Sequence, residues 1–96
     1  MTPSEFEVLV SLAGGEKHGY AIMTEAGVGA GTLYTMLDRL MTEGVVEQSA
    51  RKPEPDEDQR RRYYKLTRSG RRALTDEVAR LEGRLRAARR RLTQNA

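Results

Sequence analysis

The chain has no cysteine and a single histidine, His18, among its 96 residues. Disulfides and thiolate metal sites are therefore excluded, and one histidine cannot assemble a histidine-rich metal site. No apolar run approaches the ~20 residues that a membrane span requires, and no basic segment followed by an apolar one marks a secretory signal. We therefore expect a soluble cytoplasmic protein that needs no metal or other cofactor.

Charge is divided unevenly between the two halves of the chain. Residues 1–50 carry two basic and seven acidic side chains, whereas residues 51–96 carry fifteen basic and seven acidic ones. A basic half indicates a polyanionic partner such as nucleic acid, although a solvated arginine-rich helix has the same composition. A chain this short has room for one domain with a modest core, to which oligomerisation would add stability.

Three helices are predicted in the first half. A capping box formed by Thr2 and Glu5 begins the first helix, which ends at Gly14. A short second helix is predicted over about 18–26 and a third over about 30–43. The third helix has an apolar stripe at helical spacing, which consists of Leu33, Met36, Leu37, Leu40 and Met41.

The hydrophobic pattern changes its period in the second half. Two short strands, over 45–49 and 62–66, flank a polar loop that contains two prolines. Strand alternation directs Tyr64 towards the core and Tyr63 to the opposite face. A long helix is then predicted over about 67–93, with the threonine at its start as the cap.

This order of elements predicts a mainly α fold with a small β-hairpin. We interpret it as a winged helix-turn-helix domain, residues 1–66, followed by a C-terminal dimerisation helix, residues 67–96. Apolar residues of the final helix are separated by 4, 3, 4, 3 and 4 positions, the spacing of a coiled-coil seam. A second copy of the chain is the simplest partner, which gives a homodimer. The seam consists of Leu74, Val78, Leu81, Leu85, Ala88 and Leu92.

The outward face of the third helix has the groups that contact DNA. Hydroxyls near a helix start can meet phosphates, and arginine can reach a phosphate or a guanine edge. Three arginines at the base of the hairpin loop lie where a wing meets DNA, whereas the acidic loop tip, residues 54–58, is expected to point away. The predicted DNA-binding residues are Gly31, Thr32, Tyr34, Thr35, Arg39, Arg60, Arg61 and Arg62. A two-fold dimer would place two such helices on a near-palindromic operator.

The same residues allow a second interpretation. An ordinary amphipathic surface helix has the same outward face, and the acidic loop tip can simply neutralise the arginines. The sequence therefore leaves open a winged-helix module that binds a protein and has no specific affinity for DNA. An enzyme is not expected, because His18 has no evident partner and the loop carboxylates lack the fixed geometry of an acid–base pair.

Three motifs, in this order, resemble the PadR-type transcriptional regulators. They are His18-Gly-Tyr-Ala-Ile22, Gly31-Thr-Leu-Tyr34 and Arg62-Tyr-Tyr-Lys-Leu-Thr67, within a similarity that covers about residues 4–92. The resemblance implies a winged-helix dimer joined by a single C-terminal helix, usually a repressor. It also implies that Gly31, Thr32 and Tyr34 lie at the DNA-facing start of the recognition helix. Some members respond to flat aromatic ligands, but this chain has no tryptophan to stack on one, and no effector can be named.

Overall fold

The computed structural model describes residues 1–95, which form four helices and a three-stranded sheet. The helices are α1 (Pro3–Ala13), α2 (Gly19–Ala26), α3 (Ala30–Thr42) and α4 (Arg68–Gln94). The strands are β1 (Lys17–His18), β2 (Val46–Gln48) and β3 (Tyr63–Leu66). The predicted mainly α fold with a small β-hairpin and a long C-terminal helix is confirmed.

Side-chain caps explain where α1 and α2 begin, and that of Thr2 is the one the sequence predicts. The Thr2 hydroxyl accepts a hydrogen bond from the Glu5 amide at 3.1 Å, which satisfies one of the free N–H groups of α1. His18 does the same for α2, since its Nδ1 accepts from the Ala21 amide at 3.3 Å. Gly27 then ends α2 in the left-handed conformation, with φ 70°, which glycine adopts without steric cost.

The sheet contains one strand that the sequence pattern does not predict. β1 pairs antiparallel with β3, with Lys17 opposite Tyr64, and β2 pairs with the other side of β3, with Val46 opposite Leu66. The strand order is therefore β1-β3-β2. A two-residue strand is too short to show an alternating pattern, which is why only the β2–β3 hairpin could be predicted.

The core lies between the three short helices, the sheet and the first turns of α4. Four members of the predicted α3 stripe are buried, and Met41 packs half-buried against them. The core consists of Val8, Leu9, Leu12, Ile22, Leu33, Met36, Leu37, Leu40, Val46, Tyr64 and Leu74.

Tyr63 follows the predicted alternation but is buried, which the sequence does not predict. Its side chain is on the opposite face of β3 from the core, yet the residue is only 3% exposed. The edge of the His18 ring packs against it at a centroid distance of 5.5 Å, and the Arg51 guanidinium lies 4.3 Å from its centroid on the ring face. The loop between β2 and β3 therefore folds back over the outer face of the sheet and buries a second tyrosine.

The start of α4 is held against the turn before β2 by hydrogen bonds of Thr67, whose backbone amide donates to the Val45 carbonyl at 3.2 Å. Thr67 caps the helix by accepting from the Gly70 amide at 2.9 Å, and its hydroxyl donates to the Gly44 carbonyl at 2.6 Å. The remainder of α4 extends beyond the domain, so that the molecule measures 59 × 24 × 21 Å. Within residues 1–95, no helix combines the length and the apolar character that crossing a membrane requires.

Candidate nucleic-acid interface

The start of α3 is open on its outer side. Its N-cap is Gly29, which offers no side-chain hydrogen bond, so the first backbone N–H groups of the helix are not covered by a cap. A side chain added at Gly29 or Gly31 would meet no atom within 4 Å. The positive end of the helix dipole is thus accessible to an anion such as a phosphate.

The exposed face of α3 divides the predicted DNA-binding residues between two hollows. One side forms an open depression of about 470 Å³. Its lining consists of Gly31, Thr32, Thr35, Met36 and Arg39.

Tyr34 turns to the other side of α3, where it is 47% exposed. Its phenol ring lies across the buried Gly19 at the start of α2, so closely that a Cβ atom there would overlap the Tyr34 hydroxyl. Tyr34 borders a cleft of about 450 Å³ between α2, α3 and the base of the wing. The cleft is lined by His18, Gly19, Tyr20, Tyr34, Asp58, Arg60, Arg61, Arg62 and Tyr64.

Two titratable groups of this cleft are held in their neutral forms. Burial raises the pKa of Tyr64 above its usual 10.0, and the neighbouring Tyr34 and Asp38 raise it further. Burial also lowers the pKa of His18 below 6.5, helped by the positive charge of Arg61. The charge of the cleft therefore comes from its arginines and from Asp58.

Two of the three wing arginines carry a carboxylate partner. Asp58 accepts hydrogen bonds from the backbone amide of Arg60 at 2.9 Å and from its Nε at 3.3 Å. Glu57 accepts from Arg61 Nη1 at 2.6 Å. The Arg62 guanidinium instead donates to the carbonyls of Arg60 and Arg61, at 3.0 and 3.3 Å. Part of the acidic loop thus folds against the wing base, contrary to the expectation that it points away.

Arg39 is paired as well. Its Nη2 donates to the carboxylate of Glu5 in the first turn of α1, and the Glu5 side chain is only 15% exposed. The pair bridges two helices that are 34 residues apart in sequence. The sole basic residue of α3 is therefore held at the edge of the depression by a carboxylate from another helix.

The predicted dimerisation residues differ in their surroundings. Leu74 is buried in the core of its own chain. Leu81 is half-buried beside a groove of about 390 Å³ that runs between α4 and the first residues of α1, including Phe6. Val78, Leu85, Ala88 and Leu92 project from α4 and are exposed.

Sequence reasoning missed four residues that shape the interface. Gly19 leaves room for the Tyr34 ring, while His18, Arg51 and Glu57 all contact Tyr63. The glycine that directly follows a capping residue was the available signal for a close approach at the start of α2. Nothing in the pattern indicated that Glu57 contacts Tyr63, because a flexible acidic loop and a folded one have the same composition.

Together these elements define the class of the protein. α2 and α3 form a helix-turn-helix in which α3 exposes its outer face, and the β2–β3 loop reaches the same side of the molecule as a wing. This arrangement is that of a winged helix-turn-helix protein.

Comparison with a family model gives the family. The model of the transcriptional regulator PadR-like family matches residues 8–76, which is more than half of the chain. The chain therefore belongs to the PadR-like family of transcriptional regulators, as its three motifs indicated. No curated protein sequence matches it.

Solved structures share this fold, and several of them are transcriptional regulators. The transcriptional regulator PA4135 is 24% identical with a TM-score of 0.77, over 95% of this chain and 65% of that one. RosR of H. salinarum is 29% identical with a TM-score of 0.73, over 88% and 76% of the two chains. A MarR family regulator from Silicibacter pomeroyi is 29% identical with a TM-score of 0.69, over 88% and 54%. The chain thus spans less than two thirds of two of these three proteins.

Proposed function

We propose that the protein is a repressor that binds a near-palindromic operator in the cytoplasm as a homodimer and catalyses no reaction. The single observation that carries this proposal is the open start of α3, where uncapped N–H groups and exposed threonine hydroxyls face solvent. The other side of the same helix borders the cleft that the wing arginines line. An anion bound there gains from the helix dipole and from hydrogen bonds to backbone and side chains. The proposed contacts are the eight residues that the sequence predicts.

Two of these contacts act at the phosphate backbone. Arg62 has no carboxylate partner within residues 1–95, and Arg60 is mostly solvent-exposed, so a DNA phosphate can compete with Asp58 for its guanidinium. Exposed ion pairs contribute little to stability, which makes such an exchange inexpensive. Wing arginines would then fix the protein on the duplex while α3 enters the major groove.

The homodimer rests on the exposed part of the α4 seam. Leu85 and Leu92 are 58% and 73% exposed, and a helix projecting from its domain with an apolar stripe gains by burying that stripe. The groove between α1 and α4, next to Leu81, continues the same apolar surface. A second copy of the chain offers the same stripe and completes a two-fold interface.

A protein-binding module is the second candidate, and a specific observation favours it. Arg39, Arg60 and Arg61 each have a carboxylate partner, so the face that would meet DNA is less positive than its arginine content indicates. A surface of balanced charge with exposed Tyr20 and Tyr34 also suits a protein partner.

Salt dependence distinguishes the two candidates. Fluorescence anisotropy with duplex DNA from upstream of the protein's own gene, against a scrambled duplex, would be measured over a salt series. A DNA regulator is expected to prefer the upstream duplex and to lose about 0.9 log units of affinity per log unit of salt for each phosphate contacted. Weak and equal binding to both duplexes would contradict an operator at that position, and pull-down of a protein partner would then test the alternative.

The Tyr34→Ala variant tests whether the Tyr34 side of α3 contacts the operator. Tyr34 is half exposed and its removal leaves the core intact, so we expect weaker operator binding with an unchanged melting temperature and an unchanged dimer. Unaltered affinity would show that this side of α3 does not meet the operator.

A further inference from the structure

Arg39, the side chain of α3 best suited to reading guanine, is already in an ion pair. Within Ala30–Thr42 there is no lysine, asparagine or glutamine, and Arg39 is the single basic residue. Recognition of guanine uses two parallel donations from one guanidinium to the O6 and N7 atoms. Arg39 donates from Nη2 to the shielded carboxylate of Glu5, so pairing with guanine through both Nη groups would require Arg39 to leave that carboxylate.

Two threonines of α3 differ from the other helical threonines. The hydroxyls of Thr24, Thr42, Thr75 and Thr93 each donate to the backbone carbonyl four residues earlier. Within residues 1–95 no such bond is made by Thr32 or Thr35, although the carbonyl of Gly31 stands four residues before Thr35. Both side chains are exposed, and each presents a methyl group and an unengaged hydroxyl.

These two threonines border an apolar hollow. They line the open depression together with Gly31, which has no side chain, and with Met36, which forms the buried part of its wall. A methyl group that enters this depression meets the threonine methyl groups and Met36, and the polar groups around it are the two hydroxyls and the paired Arg39. In the major groove the methyl group at C5 of thymine is the apolar feature of base edges.

Asp38 does not alter this chemistry. It could accept a hydrogen bond from the amino group of cytosine, but it lies on the flank of α3 that faces Tyr64, whose pKa it raises. Asp38 does not line the depression that Thr32 and Thr35 border.

We infer that Thr32 and Thr35 are specificity-determining residues that read A·T pairs, through contact of their methyl groups with thymine methyl groups. The inference rests on the proposed function and names the class of operator that it recognises. Half-sites should therefore place thymine, rather than guanine, under the first two turns of α3.

The test begins with a randomised duplex library, from which the full chain selects its preferred sequence. Each thymine of the selected duplex is then replaced singly by uracil, which removes the C5 methyl group and retains every hydrogen-bonding atom of the base edge. We expect at least one position in each half-site to lose about fourfold in affinity, the equivalent of one buried methyl group.

A matched pair of variants assigns the effect to a side chain. Thr35→Ser keeps the hydroxyl and removes the methyl group, so it should bind the thymine and uracil duplexes equally at the position it contacts. Thr35→Val keeps a methyl group in that place and should remain sensitive to uracil. Thr32→Ser serves the same purpose for the other threonine, and because both sites are exposed these variants should unfold at the temperature of the parent chain.

The outcomes separate the two proposals. The chain could select a defined sequence and bind it equally well when uracil replaces each thymine. That result would overturn this inference but would still support the proposed function. So would a preference for guanine that disappears in Arg39→Ala. Failure to enrich any sequence from the library would overturn the proposed function and the inference together.

Discussion

Gly70 lets the start of α4 pass close to the backbone of Val45. It is buried in the first turn of the helix, and a Cβ atom placed there would overlap the carbonyl oxygen of Val45. A backbone carbonyl cannot move aside to relieve the overlap as a flexible side chain can. We therefore expect Gly70→Ala to lower the free energy of unfolding by about 3 kcal/mol, the upper range for overpacking, as measured by urea denaturation.

Gly83, in the same helix, is the control. A Cβ atom there would meet only the Arg86 guanidinium, at 3.8 Å, which is an ordinary contact. Gly83→Ala should raise stability by up to about 1 kcal/mol, because alanine is the better helix former. Equal effects of the two substitutions would contradict the close approach at Gly70.

His18 makes stability depend on pH. Burial and the nearby Arg61 and Arg51 lower its pKa below 6.5, and its Nδ1 must be unprotonated to accept from Ala21. Between the lowered pKa and 6.5 the unfolded chain binds more protons than the folded one. The free energy of unfolding should therefore be highest above that window and fall as the pH drops through it.

His18→Asn isolates this effect, since asparagine also caps helices but does not titrate. Chemical denaturation at about pH 7.5 and about pH 5.5 spans the range in which histidine changes charge. The pKa values of Glu25 and Glu57 are lowered from 4.5, so their contributions are lost at more acidic pH. A variant with the same pH dependence as the parent chain would show that His18 is not its source.

At the scale of single elements, the carboxylate of Asp58 in the wing competes with a DNA phosphate for the guanidinium of Arg60. The pKa of Asp58 is lowered first by the hydrogen bond from the backbone of Arg60 and then by that residue's side chain, so the carboxylate is charged and bound to the group that would meet a phosphate. Asp58→Asn removes the charge. We expect tighter operator binding and a salt dependence that is steeper by up to about 0.9 log units, one additional phosphate contact, in anisotropy titrations.

Asp56→Asn is the matched control for the wing. Asp56 lies in the same exposed loop and makes no ion pair within residues 1–95, so the substitution changes the net charge equally without freeing an arginine. If both variants gained the same affinity, general electrostatic attraction would account for the effect, and the specific contact of Asp58 with Arg60 would not.

At the scale of the whole molecule, α4 gives the chain its elongated shape and its exposed apolar stripe. Leu85 projects from the helix and is not part of the core, so Leu85→Asp should not unfold the domain. In a dimer it would bury an unpaired carboxylate, which is strongly unfavourable. We expect the parent chain to sediment as a dimer and the variant as a monomer in analytical ultracentrifugation at the same concentration.

A substitution on a face of α4 away from the leucine stripe is the control for Leu85→Asp. Ala79 is exposed and lies away from the leucine stripe, so Ala79→Asp adds the same charge to the same helix. This variant should remain a dimer. Dissociation by both substitutions, or by neither, would count against the seam as the dimer interface.

The local pattern of the sequence determined most of the secondary structure. Helix starts at Thr2 and Thr67 follow from side chains that satisfy free N–H groups, and these need only neighbours in sequence. The apolar stripe of α3 likewise identifies its buried face, because the helical period fixes which residues share a side. The family followed from motifs that are contiguous in the chain.

Contacts between distant residues were decided by the tertiary structure alone. The pair of Arg39 with Glu5 spans 34 residues, and the β1 strand exists only because β3 offers it a partner. Tyr63 is buried by a loop whose polar composition predicts exposure. The local sequence determines the hydrophobic periodicity of a helix and the residues that cap it. The partner of a charged side chain or of a strand edge depends instead on which surfaces the fold brings together.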